Sequence, residues 1–479
     1  MALVRPALVF IVCAIALAGC GGNTAETGSR GAEIVPATAP AFVTVDTDFN
    51  SSQWQTLDQL AGRFPDKERW LEMLKRELRE NENVDWDRDV KPALGSELDL
   101  VWLDLRNEGE NGVGLIQPQD ERAFKDLVAK SDGEVVYEQF GEWYVFSDRQ
   151  AKIERFKQAS QATDEKLADD ATFERAMDSF PEESVLRAFV DGEAVHDLAA
   201  REGEAEAQKL IDRLGRLDWV VASIRATSDG IRSDTIVHGK AGPALNGSVP
   251  NPFAPSLTKD VPRDAIVYLS FHGSKGMLTG VTDNPFFKQA DFGPLATIVR
   301  RVGSLLEGEN AFYIRPSAGS MPEFTFVMEP RRGVNGAATL DRILRTFKGD
   351  LPAQPRATRI AGKAARKVEL GQVDLVYANV GKRVAISNLA AGIAALHGNA
   401  PALAGRSDYA ADLREAGLKD KTQGFFWVDI RGGVKLAERL AGTPLPPEIG
   451  RNLKPLRSAV QYAASRPSEI QLTFFLRIK

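Results

Sequence analysis

Four residues near the start of the chain carry its most specific chemistry: Leu17, Ala18, Gly19 and Cys20, in the stretch LAGCGGNT. They end an apolar run, ALVFIVCAIALAGC, that begins just after Arg5. A helix needs about 20 apolar residues to cross a bilayer, so this shorter run with a charged start and a small-residue end reads as an export signal. Ordinary signal cleavage has no use for a thiol, and a cysteine directly after the small triplet is placed for alkylation on sulfur.

The pattern resembles a bacterial lipobox, in which Cys20 carries a covalent diacylglycerol and a fatty acyl group and becomes the first mature residue. Cys13 leaves with the signal, so the mature chain has neither a free thiol nor an intrachain disulfide. Two acyl chains hold a protein at a membrane where one is marginal. The lipid on Cys20 is the only cofactor-like group expected.

Elsewhere the search for chemistry returns little. His196, His238, His272 and His397 are far apart and form no metal-ligand spacing, and no nucleophile elbow or phosphate loop appears. FHGSKGMLTG, 271–280, lacks the Lys-Ser/Thr ending of a phosphate loop and reads as a strand-to-helix turn. Asp191 and Asp429 stand at equivalent strand ends, where paired carboxylates could do acid/base work or cap the helices that follow; the cap is favoured. DWDRD, 85–89, has alternating acids but not the glycine and closing glutamate of a calcium loop, and reads as a solvated turn. No catalytic residue and no metal ligand is assigned.

The net charge of −6 conceals an asymmetry: 0 over residues 1–40, −18 over 41–240 and +12 over 241–479. The positive charge gathers in Arg331, Arg332, Arg342, Arg345, Lys348, Arg356, Arg359, Lys363, Arg366, Lys367, Lys382 and Arg383. These are the candidate anion-binding residues. Beside an anionic leaflet each Lys or Arg contributes about 1 kcal/mol of attraction. The alternative use of the asymmetry is self-association of the acidic and basic halves. Nucleic acid is not an expected partner of an exported chain.

The elements that would position these residues recur. VPATAPAFVTV (35–45) realigns on VPRDAIVYLSF (261–271), VGLIQPQ (113–119) on TFVMEPR (325–331), FGEWYVFSDRQAKIERF (140–156) on VGKRVAISNLAAGIAAL (380–396), and FVDGEAVHDL (189–198) on WVDIRGGVKL (427–436). All occur in one order, which predicts a tandem duplication. Short alternating strands such as AFVTV, the Gly141 turn between EVVYEQF and EWYVFSD, and the helical spacing of Trp70, Leu71, Leu74 and Leu78 predict an α+β fold. Each repeat is expected to be a mainly antiparallel sheet with packed helices. The expected organisation is a signal peptide at 1–19, the lipidated cysteine and a flexible tether at 20–34, an acidic repeat at 35–240, a Pro/Gly-rich connector at 241–257 and a basic repeat at 258–479.

The opening VPATAPAFVTVD, the Trp-bearing helices and the acidic stretch Asp85, Asp87, Asp89 ahead of Pro92, Leu94 and Gly95 resemble bacterial lipoproteins labelled domain of unknown function 3352. The resemblance implies an exported location and a duplicated fold, and no assigned activity. Together these features point to a lipoprotein on the extracytoplasmic face of the cell membrane. Its expected role is a non-enzymatic binding or scaffolding protein whose basic repeat faces an anionic membrane or envelope polymer. The alternatives are a carrier or chaperone for an apolar ligand, and an envelope hydrolase using carboxylates between the repeats.

Overall fold

Apolar and polar residues alternate in AFVTVD, and that segment forms strand β1, Ala41–Asp46, in the computed structural model. The structure describes residues 29–105, 111–181, 183–202, 215–241, 252–273, 305–345, 353–371, 373–398 and 400–479. Cys20 and its lipobox, Lys348 and most of the 271–280 turn lie outside these residues. The chain divides into two compact units, Met1–Gly242 with Ile478–Lys479, and Pro243–Arg477.

In the first unit β1 pairs on one side with β2, Glu97–Trp102, and on the other with β6, Leu186–Asp191. The sheet extends through β3, Gly112–Ile116, to β5, Trp143–Ser147, and β4, Val136–Phe140, and in the other direction through β7, Gly215–Thr227, to β8, Gly230–Ala241. These pairings are all antiparallel, and the tight β4–β5 turn needs the left-handed conformation of Gly141, φ 63°. One sheet face, with Phe42, Val101 and Phe189, packs against α4, Gln150–Gln161, and α5, Ala171–Met177. The other, with Val45, Leu98 and Ile116, is covered by α1, Ser52–Ala61, α2, Lys67–Glu82, and α3, Glu121–Ala129. Helix α6, Gly192–Glu202, follows β6.

Local chemistry sets the helix starts. The Ser51 side chain accepts from Trp54 N–H at α1, Asp120 caps α3 and Asp170 caps α5, each satisfying backbone donors that a helix end leaves unpaired. Trp54 then donates its indole N–H to the Asp46 carbonyl at 2.9 Å, tying α1 to the end of β1.

The second unit runs β14–β15–β11–β10–β9–β16–β17, again antiparallel: Asp374–Val380, Arg383–Ser387, Glu323–Met328, Glu309–Arg315, Val267–His272, Gly424–Asp429 and Leu456–Arg466. Beyond β14 it carries a further hairpin, β12, Arg356–Ile360, and β13, Lys363–Glu369. Helix α7, Gly336–Arg345, packs on one face through Leu340 and Leu344, while α8, Ala390–His397, and α9, Ser407–Glu415, supply Ile393 and Tyr409 to the other. Helices α10, Ile430–Ala441, and α11, Pro447–Leu453, and strand β18, Glu469–Ile478, complete the chain. The class is α+β. Among the described residues no helix is long and apolar enough to cross a membrane.

The DWDRD stretch departs from the solvated turn expected for it. Trp86–Val90 forms a π-helical turn with Trp86, Asp89 and Val90 buried. Asp85 caps it, accepting from the Asp87 and Arg88 N–H groups. Asp89 is held by Arg88, Lys130 and the Asp85 N–H, and the Arg88 hydrogen bonds lead in holding its carboxyl well below the usual range. The acids close a turn under the sheet because Trp86 pulls the segment inward.

Candidate functional site

The basic residues of the second unit divide by what their neighbours offer them. In α7, Asp341 receives Arg345 at 3.0 Å, Arg366 at 3.5 Å and the Tyr377 hydroxyl at 3.0 Å. Burial alone would raise this carboxyl, but the hydrogen bonds from Arg345 and Tyr377 and the charge of Arg366 hold it below its ordinary value. Lys367 pairs with Asp374 at 2.9 Å and with Glu369, Lys382 and Arg383 meet Glu329, and Arg383 also meets Asp260. Arg331 reaches Glu307 only at 4.0 Å.

Arg332, Arg342, Arg356, Arg359 and Lys363 are exposed and have no ion-pair partner among the described residues. Arg356, Arg359 and Lys363 share one hairpin, and its geometry explains their freedom. The connection is Ala361–Gly362, both at positive φ, the two-residue turn whose twist suits a β-hairpin. Ile360 and Ala365 point into the core and thereby lock the register. That register sets Arg356 opposite Lys367, a like-charge pair that costs stability unless an anion intervenes. Lys367 has its carboxylates; Arg356 faces solvent. Of the predicted anion-binding residues that the structure describes, Arg332, Arg342, Arg356, Arg359 and Lys363 stay open, while Arg331, Arg345, Arg366, Lys367, Lys382 and Arg383 meet carboxylates.

Each of the two matched acids caps a helix, as the sequence favours. Asp191 accepts from Ala194 N–H and Asp429 from Gly432 N–H, each capping the helix that follows within its own unit. Asp429 also binds Arg406, which clasps Asp408 through two nitrogens at 2.7 Å and lies 5.1 Å over the Trp427 ring. These groups line an open cleft of about 840 Å³ with Arg263, Asp264 and Arg315. Arg315 makes a bidentate bond to Glu323 at 2.6 and 2.8 Å. Both half-buried guanidiniums are thus committed to carboxylates of their own unit, an arrangement that pins loops.

The histidines serve separate elements. His196 accepts from Leu217 N–H at 2.9 Å, His238 stacks on Trp219 at 4.8 Å and meets Asp218, His272 lies against Phe253, and His397 ends α8. Among the described residues no His, Cys, Asp or Glu group is arranged to hold a metal ion.

One polar constellation escaped the sequence reading. Thr44, Asp46, Glu97, Asp99 and Arg187 share one face of β2–β1–β6 and are all buried. Gly31 N–H donates to Glu97 at 3.1 Å, and a Cβ on Gly31 would lie 1.9 Å from an Asp99 oxygen, so only glycine fits there. Burial pushes Asp46 and Glu97 up to about 7, the first against the Ser51 hydrogen bond and the second against the Arg30 charge and the Gly31 N–H. Burial, and then the neighbouring Glu97 charge, raise Asp99 well above the usual range. Strand alternation marks these positions as inward-facing, but it does not say which of the two faces is wet; that was the missing signal.

Residues 2–119 match the family described as "Protein of unknown function (DUF3352)", which bears out the sequence resemblance over that stretch. No curated protein matches the chain. A solved structure described as "Structure of crystal form I of TP0453" is 8% identical, covering 46% of this chain and 80% of its own with a TM-score of 0.21, too distant to carry an argument.

Proposed function

We propose that the chain is an exported lipoprotein, anchored through Cys20, that acts as a non-enzymatic binding or scaffolding protein and docks its second unit on an anionic membrane surface. The observation that carries this reading is the β12–β13 hairpin. Among the described residues the first-unit sheet ends at β4, while the second-unit sheet continues past β14 into this extra hairpin, which bears Arg356, Arg359 and Lys363, none with an ion-pair partner among those residues. Cations that answer no local carboxylate are the ones available to an external anion.

The reading includes a tandem duplication, and several matched contacts support it. Pro36 bridges to Lys166 and Pro262 to Ala402. Gly31 N–H meets Glu97 as Leu257 N–H meets Glu309. The strand order β4–β5–β3–β2–β1–β6–β7 has its counterpart in β14–β15–β11–β10–β9–β16–β17. On this view the basic hairpin was added to one copy of an older fold.

The test is co-sedimentation of the chain from Gly21 onward, which keeps every described residue, with phosphatidylserine-containing and neutral phosphatidylcholine vesicles across a salt series. Binding is expected only to the anionic vesicles and should fall steeply with salt. At about 1 kcal/mol per cation, replacing Arg356, Arg359 and Lys363 by Gln should cost about 3 kcal/mol, on the order of a hundredfold in partition. Equal retention by neutral vesicles, or an unchanged triple variant, would overturn the reading. Absence of all binding would leave complementarity of the two units as the use of the charge asymmetry.

A further inference from the structure

Helix α2 breaks an ordinary rule of surface helices. It spans 16 residues and carries Trp70, Leu71, Leu74 and Leu78 at helical spacing, yet none of its side chains is buried and Met73 is 47% exposed. An amphipathic helix normally hides such a stripe against the core. Neighbouring α1 does so, burying Trp54 and Leu60.

The stripe is only half-buried, and beneath the C-terminal turn of α2, where Leu78 packs against the core, lies a cavity of about 120 Å³ in the first unit. Its floor is Leu98 and Leu100 of β2 and Ile116 of β3, and its walls include Leu78 of α2, Val128 of α3 and Phe146 of β5. Protein interiors rarely leave a void much larger than a water molecule. An apolar cavity of comparable size, about 150 Å³, stays dry and binds benzene. Water gains nothing here, because the lining offers hydrogen bonds only from Glu82, Lys130 and Ser131, all at or just beyond helix C-termini.

We propose that this cavity takes the tail of a linear, single-chain amphiphile, with the end of α2 as its lid. The apolar lining, Leu, Val and Ile side chains with Phe124 and Phe146, favours hydrocarbon over a polar ligand, and the volume admits the last few carbons of one chain but not a second chain. The polar residues at the helix ends leave a wet exit for the head group. Lys130 is already bound to Asp89, so the head is left to solvent and the site reads the chain. Asn83, in the left-handed conformation at φ 53°, ends α2 between Glu82 and Val84, so the helix stops at the rim of the cavity that both residues line. This inference goes beyond the surface reading and rests on the first unit alone.

Calorimetric titration of the chain from Gly21 onward with decanoate tests it, with acetate as the head-group control. Decanoate should bind at one site with a negative heat-capacity change, the mark of buried apolar surface, and acetate should not bind. Val128→Trp fills the cavity from α3 and should weaken decanoate at least tenfold. Leu78→Trp fills it from α2, where Leu78 is only half-buried, and should do the same; it decides the matter if the first variant fails to fold. Decanoate behaving like acetate, or binding Leu78→Trp as tightly as the parent, would overturn the proposal.

Discussion

Asp46, Glu97 and Asp99 make the first unit sensitive to pH in a direction opposite to most acid-rich surfaces. Their carboxyls are raised by burial, Asp46 and Glu97 to about 7. A carboxyl whose folded value lies above its unfolded one stabilises the fold below the unfolded value, near 4, and that contribution is lost as pH rises through the folded value. Thermal unfolding of the first unit should therefore move up by several degrees from pH 8 to pH 5.5, and Glu97→Gln with Asp99→Asn should flatten the dependence. A melting temperature that falls over that window would show the carboxyls to be ionised in the fold. Asp89 and Asp341, held low by their cationic partners, contribute the opposite slope only in stronger acid. In the second unit Ser270 lies between Ala311 and Phe425, as Thr44 lies between Asp99 and Arg187 in the first.

At the scale of elements, two pieces carry the proposals: helix α2 and the β12–β13 hairpin. Local stability follows buried contact, and a helix with no buried side chain opens at low cost. Amide exchange in α2 should be faster than in α1, whose Trp54 and Leu60 are buried, by tenfold or more, and saturating decanoate should narrow the gap. Equal protection of the two helices without ligand would mean that α2 is held by its ion pairs, such as Lys75 with Asp87 at 2.7 Å and Arg79 with Asp85 at 3.3 Å. The hairpin differs: Ile360, Ala365 and Val368 anchor it in two cores, so its cations are presented from a rigid support.

For the whole molecule, the sign asymmetry and Cys20 belong to one reading, in which a lipid holds the chain at a surface and the basic unit engages it. Cys20→Ala should move the exported protein from the membrane fraction to the soluble fraction and abolish labelling by a palmitate analogue; retention at the membrane with labelling intact would remove the anchor from the account. Much of the architecture was legible in the chain itself, because it depends on neighbours close in sequence. Strand alternation in AFVTVD, the Ser51 and Asp429 caps and the Gly141 turn are set by backbone sterics and local hydrogen bonds. The open and neutralised cations could not be told apart that way: Arg366 finds Asp341 from another element, while Arg359 meets no carboxylate among the described residues. The protons on Asp46, Glu97 and Asp99 and the void below α2 are likewise decided only when distant segments meet, since burial and ion pairing depend on what packs against a residue and not on what precedes it.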